Sequence, residues 1–419
     1  MIDPSPGVQC EEGGQGPTGW GVRHGWAAGQ EFWPQASQMA TLRLMTTSPG
    51  GRAGPPPRFY RKGTHLSNVT TASMRALMEG IVDYAGLFPP ATLPLDEALQ
   101  NYAEYRRCEH AWMLGRFICP ARRLDDIAPH ASLLADGEPW SFSVLGRGGE
   151  DADSFNDGLT EDFALIDAFV TRHPGRVRVD AFEVRLPPVA APYSDRTAIR
   201  TLLRGAAEAI ERGASQSVHP FLEISLWERL SSRSADTTWP KTLDLIIPAL
   251  AEHNRQWHGE RCGPLGAKIR TGGVEADQFP TIEQVAGWIA RCAEEGVPFK
   301  ATAGLHHPFR HYSNDVGTRM HGFVNMFLAA ALAHRDRNQA QDNRSADLPK
   351  PTWLQVEALQ GLLADESVGS FSAEPRTLGW RDARVTVEEI RSARANLAIS
   401  FGSCSFTEPI ADLQAAGML

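Results

Sequence analysis

From about Thr71 onward the chain alternates between two kinds of apolar spacing. Short apolar runs (IVDYAG, WMLGRFICP, WSFSVLG, VDAFEVRLP, HPFLEISL) are each followed by a stretch with apolar residues every three or four positions (LPLDEALQNYAEYRRC, LDDIAPHASLL, TEDFALIDAFVTRHPG, RTAIRTLLRGAAEAIERG, KTLDLIIPALAEHNRQW). The first kind predicts strands and the second amphipathic helices. Two further runs, AKIRTGG and FKATAGL, flank the helical segment TIEQVAGWIARCAEEG. Beyond them, VGTRMHGFVNMFLAAALAHR predicts a long apolar helix and RDRNQAQDNRSADLPK a flexible insertion. TWLQVEALQGLLADE predicts another helix, SVGSFSAEPRTLGWRDARV a short strand or hairpin, and TVEEIRSARANLAISF a terminal helix. Strands repeatedly followed by helices imply a parallel sheet.

Eight such units predict a (β/α)8 TIM-like barrel over residues 69–419. An open doubly wound sheet is the rival, but no GxGxxG follows the first strand. Residues 1–68 are different. They are rich in Gly and Pro (GGQGPTGWG, SPGGRAGPPPRF) without a sustained period, which predicts a disordered leader.

Composition narrows the function classes. The net charge of -9 argues against nucleic acid or an anionic membrane surface as a partner. No apolar run is long enough for a membrane span. The N-terminal residues lack the basic and apolar regions of a signal peptide. Cys10, Cys108, Cys119, Cys262, Cys292 and Cys404 form no CxxC pair and read as reduced thiols of a cytoplasmic protein.

The unusual residues are Lys268 and Lys300, each inside a run that should be almost wholly apolar if buried in a barrel. Barrel chemistry gathers at the C-terminal ends of the strands. Those ends offer Asp83, Glu183 with Arg185, Glu223, Lys268 with Arg270 and Thr271, and Lys300 with Thr302. Two lysines on neighbouring strands repel, which favours the neutral amine of one of them. A neutral amine attacks a carbonyl and forms a Schiff base. The plainer alternative is that both lysines form interior ion pairs with Glu183 and Glu223. Thr271, Gly272 and Gly273 offer backbone N–H groups to an anion.

AKIRTGG and FKATAGL resemble the paired lysine strands of class I aldolases of the deoxyribose-phosphate aldolase type. That family carries a Lys-Thr-Ser-Thr-Gly strand and, one helix later, a Lys-Ala-Ser-Gly-Gly strand. The resemblance covers about forty of the 419 residues, from AKIRTGG to FKATAGL, and GLHHPFRH is foreign to it. The resemblance implies a lyase in which Lys268 is the Schiff-base lysine, Lys300 the lysine that tunes it, and Glu183 a proton relay. Arg270 stands where the family has a small residue, and SFSAEPRTLGW carries no Gly-Gly-Ser phosphate cradle.

The expected site is therefore Lys268, Lys300, Glu183 and Asp83 for catalysis. Arg270, Thr271, Gly272, Gly273, Thr302, His306, His307, Glu223 and Arg185 would surround a small carbonyl or anionic substrate. No cofactor is required by this reading. A divalent metal held by Glu183, Glu223 or Asp83 with His306, His307 and His311 is the alternative, and would make the protein a metal-dependent lyase, isomerase or hydrolase. His306 and His307 are adjacent, so on extended backbone they point opposite ways. His321 reads as a core histidine and Cys404 as a buried thiol. A barrel that binds a small anion without chemistry is a further rival. So is a scaffold using the long apolar helix as a homo-oligomer contact, although ordinary core packing is the preferred reading of that helix.

Overall fold

The computed structural model describes residues 70–135, 137–187, 196–225, 239–343 and 351–419. The expected leader, 1–68, lies outside the described residues. Helix α1 (Ala72–Met78) precedes strand β1 (Val82–Tyr84), and α2 (Leu95–Tyr105) leads to β2 (Leu114–Pro120) and β3 (Trp140–Leu145). Then follow α3 (Ala152–Arg172), β4 (Val177–Arg185), α4 (Arg196–Gly213), β5 (His219–Glu223), α5 (Trp239–Gln256), β6 (Gly266–Arg270), α6 (Ile282–Glu295) and β7 (Phe299–Thr302). A hairpin, β8 (His311–Ser313) and β9 (Thr318–Met320), separates β7 from α7 (Phe323–Asn343). After α8 (Val356–Leu363) come β10 (Phe371–Ala373), β11 (Thr377–Trp380) and β12 (Ala383–Thr386). The chain ends with α9 (Val387–Asn396), β13 (Ala398–Ser403) and α10 (Thr407–Ala415).

Eight strands close a barrel in the order β1-β13-β7-β6-β5-β4-β3-β2, every pair parallel. The predicted (β/α)8 architecture is present, with three local differences. The eighth barrel strand is β13, within ANLAISF, which reads as helix in the sequence. The segment expected to supply it forms a separate antiparallel sheet, β10-β11-β12. The crossover after β2 is a run of 3-10 turns, Asp125–Ala135, rather than an α-helix. Pro129 inside it lacks the N–H that an α-helical turn requires. Finally, residues 335–343 of the expected flexible insertion continue α7. There Arg335 Nη1 donates to Arg384 O, and Asp336 Oδ2 accepts from Trp353 N at 2.9 Å. Residues 344–350 lie outside the described set.

The helices form for local reasons as well as tertiary ones. In α6, Thr281 and Gln284 make a reciprocal capping box, and Gly296 ends the helix at φ 69°. Its buried face (Val285, Ala286, Trp288, Ile289, Cys292, Ala293) is the stripe that the sequence periodicity marks.

Strand alternation sorts side chains between the helix layer and the barrel interior. Outward, Phe117 meets Tyr102 of α2 and Phe142 meets Phe169 of α3, with ring centroids 5.4 and 5.1 Å apart. Phe182 meets Phe163 of α3, Phe299 meets Trp288 of α6, and Phe401 meets Phe323 of α7. The neighbours of these aromatics in sequence, Ser143, Glu183, Lys300 and Ser400, therefore face inward. Helix α7 is buried in its own chain from Phe323 to Ala333, which is core packing and not a free oligomer face. Among the described residues no helix is long and apolar enough to cross a membrane.

Candidate active site

The register aligns Glu223, Lys268, Lys300 and Ser400 side by side on β5, β6, β7 and β13. In most barrels of this kind such inward positions hold bulky branched residues. Here they build a chain of alternating charges. Asp83 Oδ2 lies 2.6 Å from Lys300 Nζ, and Lys300 Nζ also bonds Glu183 Oε1. Glu183 Oε2 lies 2.9 Å from Lys268 Nζ, which lies 2.8 Å from Glu223 Oε2. Glu223 Oε1 is 3.9 Å from Arg270 Nη1. Exposure rises along this chain, from 1% for the Lys300 side chain to 7% for Lys268 and 37% for Arg270. Lys300 is thus the deep lysine and Lys268 the one nearer the mouth.

Each carboxylate is held by more than its lysine. Asp83 accepts from Arg116 N at 2.7 Å and from Ser400 Oγ at 2.6 Å. Gly115 makes the first of these bonds feasible, because a Cβ there would stand 2.4 Å from Asp83 Oδ1. Glu183 Oε1 accepts from Ser143 Oγ at 2.5 Å, and Lys300 Nζ lies 3.1 Å from that hydroxyl. The three N–H donors of Lys300 therefore have three partners, Asp83, Glu183 and Ser143. Lys268 has two, both carboxylates. Ser143, Ser400 and Arg116 were not among the expected site residues. Period-two alternation on WSFSVLG marks Ser143 as inward, whereas Ser400 sits in the segment that reads as helix.

The charges follow from these contacts. Burial alone would push Lys268 toward the neutral amine, but Glu183 and Glu223 outweigh it and hold its pKa at about 12. Burial would likewise raise Asp83, Glu183 and Glu223. The facing lysines reverse that and hold all three below the ordinary carboxylate range. The expectation that Lys300 makes Lys268 neutral by repulsion is thereby corrected. Glu183 stands between the two amines, meeting Lys268 with Oε2 and Lys300 with Oε1. The interior ion pairs of the plainer reading are present, with Asp83 as an added member.

These shifts set a pH dependence. The carboxylates titrate lower in the folded chain than in the unfolded one, so their contribution is present above the unfolded values of 3.8 to 4.5 and lost on acidification. Buried His219 and His321 fall from 6.5 to about 4, so stability declines already below about pH 6.5 as the unfolded chain takes up those protons. Lys268 contributes fully below its unfolded 10.5, and that contribution disappears as pH rises through about 12. The melting temperature should therefore fall on acidification from pH 6.5 and again at strongly alkaline pH. A melting temperature level from pH 7 to 3 would contradict these assignments.

The remaining expected residues occupy two places. Thr271 is buried after β6, and its N–H and hydroxyl both point to β7: N donates to Thr302 O at 2.8 Å and Oγ1 to Ala303 O at 2.5 Å. Its N–H is thus not offered to an anion, contrary to expectation. Gln278 Oε1 accepts the next N–H group but two, that of Val274, at 2.8 Å. Gly272 and Gly304 pack back to back, and a Cβ on Gly304 would meet Gly272 Cα at 2.9 Å. Gly304 also has φ 71°. Gly304→Ala should lower stability by at least about 1–2 kcal/mol, measured by urea unfolding, from the left-handed backbone alone. Thr302 faces Gly402, whose missing side chain leaves room beside Thr302 Oγ1. Arg185 ends β4 and is exposed.

His306 and His307 do not point opposite ways. The loop after β7 is bent, and both rings reach α10, on residues four apart. His306 Nδ1 is 3.3 Å from Glu408 Oε2, and His307 Nδ1 is 2.5 Å from Asp412 Oδ2. His311 packs its ring 4.2 Å from that of His307. His321 is buried, with Nε2 2.8 Å from Pro280 O, as expected of a core histidine. Among the described residues no three His, Cys, Asp or Glu side chains are arranged to hold a metal ion.

The chain matches no protein-family profile and no curated protein. What can be said of the site therefore comes from its geometry and from the barrel itself, an architecture that commonly carries enzymes with their active groups at the strand C-termini.

Proposed function

We propose that the protein is a lyase of the class I aldolase kind, forming a Schiff base between Lys268 and a small carbonyl substrate. The observation that supports this most is the pair of buried lysines in register on adjacent barrel strands, bridged by one carboxylate, Glu183. An ionic interior is a poor way to stabilise a fold. Well-packed apolar residues in place of such groups are often neutral or more stable by about 1–4 kcal/mol. Clustered perturbed groups at a barrel mouth are what catalysis requires.

The raised pKa of Lys268 fits this reading once the product of the attack is considered. A protonated Schiff base carries the same positive charge at the same nitrogen as the ammonium. Glu183 and Glu223 bracket that position and stabilise both states. The Lys268 ammonium passes a proton to Glu223, 2.8 Å away and nearest the mouth. The freed amine adds to the carbonyl carbon, and the carbinolamine takes up a proton and expels water. The iminium then accepts the electron pair of the breaking C–C bond. Lys300, fixed by Asp83, Glu183 and Ser143, holds Glu183 ionised and is a positioning residue, as is Asp83. Arg270, at the rim, would attract an anionic group on the substrate.

An iminium that loses an α-proton exchanges it with solvent. In D2O, a panel of short aldehydes and ketones should include at least one whose α-hydrogens exchange with enzyme and not with Lys268→Met protein, followed by proton NMR. No catalysed exchange in any member would count against the proposal.

A second reading, binding of a small anion without covalent chemistry, draws on the stable charge of Lys268 and the cationic rim at Arg270. It would show ligand affinity with no exchange.

A further inference from the structure

Cys404 follows the last residue of β13 and is half-buried, not enclosed as its sequence context suggests. Its Sγ lies 3.8 Å from His306 Nδ1. The same nitrogen lies 3.3 Å from Glu408 Oε2 in the first turn of α10. The loop that carries the thiol is pinned: Ser403 Oγ donates to Ser405 O at 2.7 Å, and Glu408 N donates to Ser405 Oγ at 3.1 Å. The other described cysteines differ. Cys119, Cys262 and Cys292 are buried, and burial pushes the first two up to about 12 and the third well above its ordinary value. Cys108 is exposed. Among the described cysteines only Cys404 combines access with an imidazole within reach.

We propose that Cys404 is a covalent capture site for small electrophilic carbonyl compounds at the barrel mouth, with His306 relaying the proton. The chemistry balances without a further reactant. Sulfur adds to the carbonyl carbon, the C=O π pair moves to oxygen, and that oxygen takes a proton from the His306 ring. The thiol proton replaces it on the ring, and the product is a hemithioacetal that reverses by the same route. Burial of His306 favours its neutral form, but the bonds to Cys404 and Glu408 override this and raise it to about 9, so the ring holds a proton to give at neutral pH. Glu408 supports that charge. His307 and His311 are the other rings beside Glu408, and Asp412 takes up the first of them.

The thiol follows β13 and its imidazole the loop after β7, both past Ser400 and Lys300 on those strands, so the capture does not use the lysine chemistry. The test uses the full chain, limiting iodoacetamide at pH 7 and peptide mapping, with Cys108 as the internal reference. An ordinary thiol is only a few per cent thiolate at that pH, and a cationic ring beside the sulfur favours its attack, so Cys404 should alkylate about tenfold faster. Cys404 should therefore outpace Cys108 despite being less exposed. His306→Asn should bring Cys404 down to the Cys108 rate or below while leaving Cys108 unchanged. His306→Gln serves the same comparison if the Asn variant does not fold. Propanal added first should protect Cys404, dialysis should restore its reactivity, and protection should persist in Lys268→Met protein. Protection that vanishes with Lys268 would trace it to the lysine and overturn the proposal. So would a Cys404 rate no higher than that of Cys108, or one indifferent to His306.

Discussion

Lys268→Met should abolish turnover of a carbonyl substrate, by on the order of 10³-fold or more, while leaving a folded protein. The size follows from the role: without the amine no covalent intermediate forms, and only binding and polar groups remain. The survival of the fold follows from the neighbours. Glu183 keeps Lys300, and Glu223 keeps Arg270 at 3.9 Å, so neither carboxylate loses every cation. The stability loss should be roughly 3 kcal/mol, the low end for breaking a buried pair. Lys268→Arg separates charge from chemistry. It restores the cation between Glu183 and Glu223, and with it much of the stability, yet offers no amine, so activity should remain lost. Steady-state kinetics and urea unfolding on the three proteins check both halves. A Lys268→Arg enzyme with substantial turnover would contradict a nucleophilic role.

The second large effect should come from Glu183. It is the one carboxylate shared by both lysines, and it is almost fully enclosed. Glu183→Leu leaves two ammoniums in the barrel with no anion between them. Lys300 keeps Asp83 and Lys268 keeps Glu223, but the bridge that separates like charges is gone. The expected cost is about 3–5 kcal/mol, measured by urea unfolding at neutral pH. The double variant Glu183→Leu/Lys300→Met removes one of the two facing cations, leaving Lys268 with Glu223 and Asp83 with Arg116 and Ser400, and should recover at least half of that loss. A double variant whose loss equals the sum of the single losses would show that the carboxylate does not act through the lysines.

Much of the barrel was legible because its signals are local. Periodicity located seven of the eight barrel strands, and the two lysines stood out as polar residues in apolar runs. The eighth strand was hidden for a physical reason. Only Leu397 separates α9 from β13, with no Gly or Pro between them, so the apolar spacing of the helix runs on into the strand. The charge state of Lys268 was hidden by distance. Reasoning from neighbouring strands brings the two lysines together and predicts repulsion. The partners that reverse the sign, Glu183 of β4 and Glu223 of β5, stand on strands earlier in the chain and reach Lys268 only in the assembled sheet. An extended backbone would send His306 and His307 in opposite directions. The bent loop after β7 lets both reach α10, and that contact is also what places an imidazole beside Cys404. Helix α10 carries no strong periodic signal, so its carboxylates were not foreseen.

In the proposed reaction one particular amine, held as a cation between two carboxylates, becomes bonded to substrate carbon. Borohydride reduction in the presence of small aldehydes and ketones, followed by peptide mapping, reads that bond directly. The expected result is a stable mass increase on the peptide containing Lys268, absent when Lys268 is methionine. Reduction that leaves the Lys268 peptide unmodified with every carbonyl tried, or that places the adduct on Lys300, would contradict it.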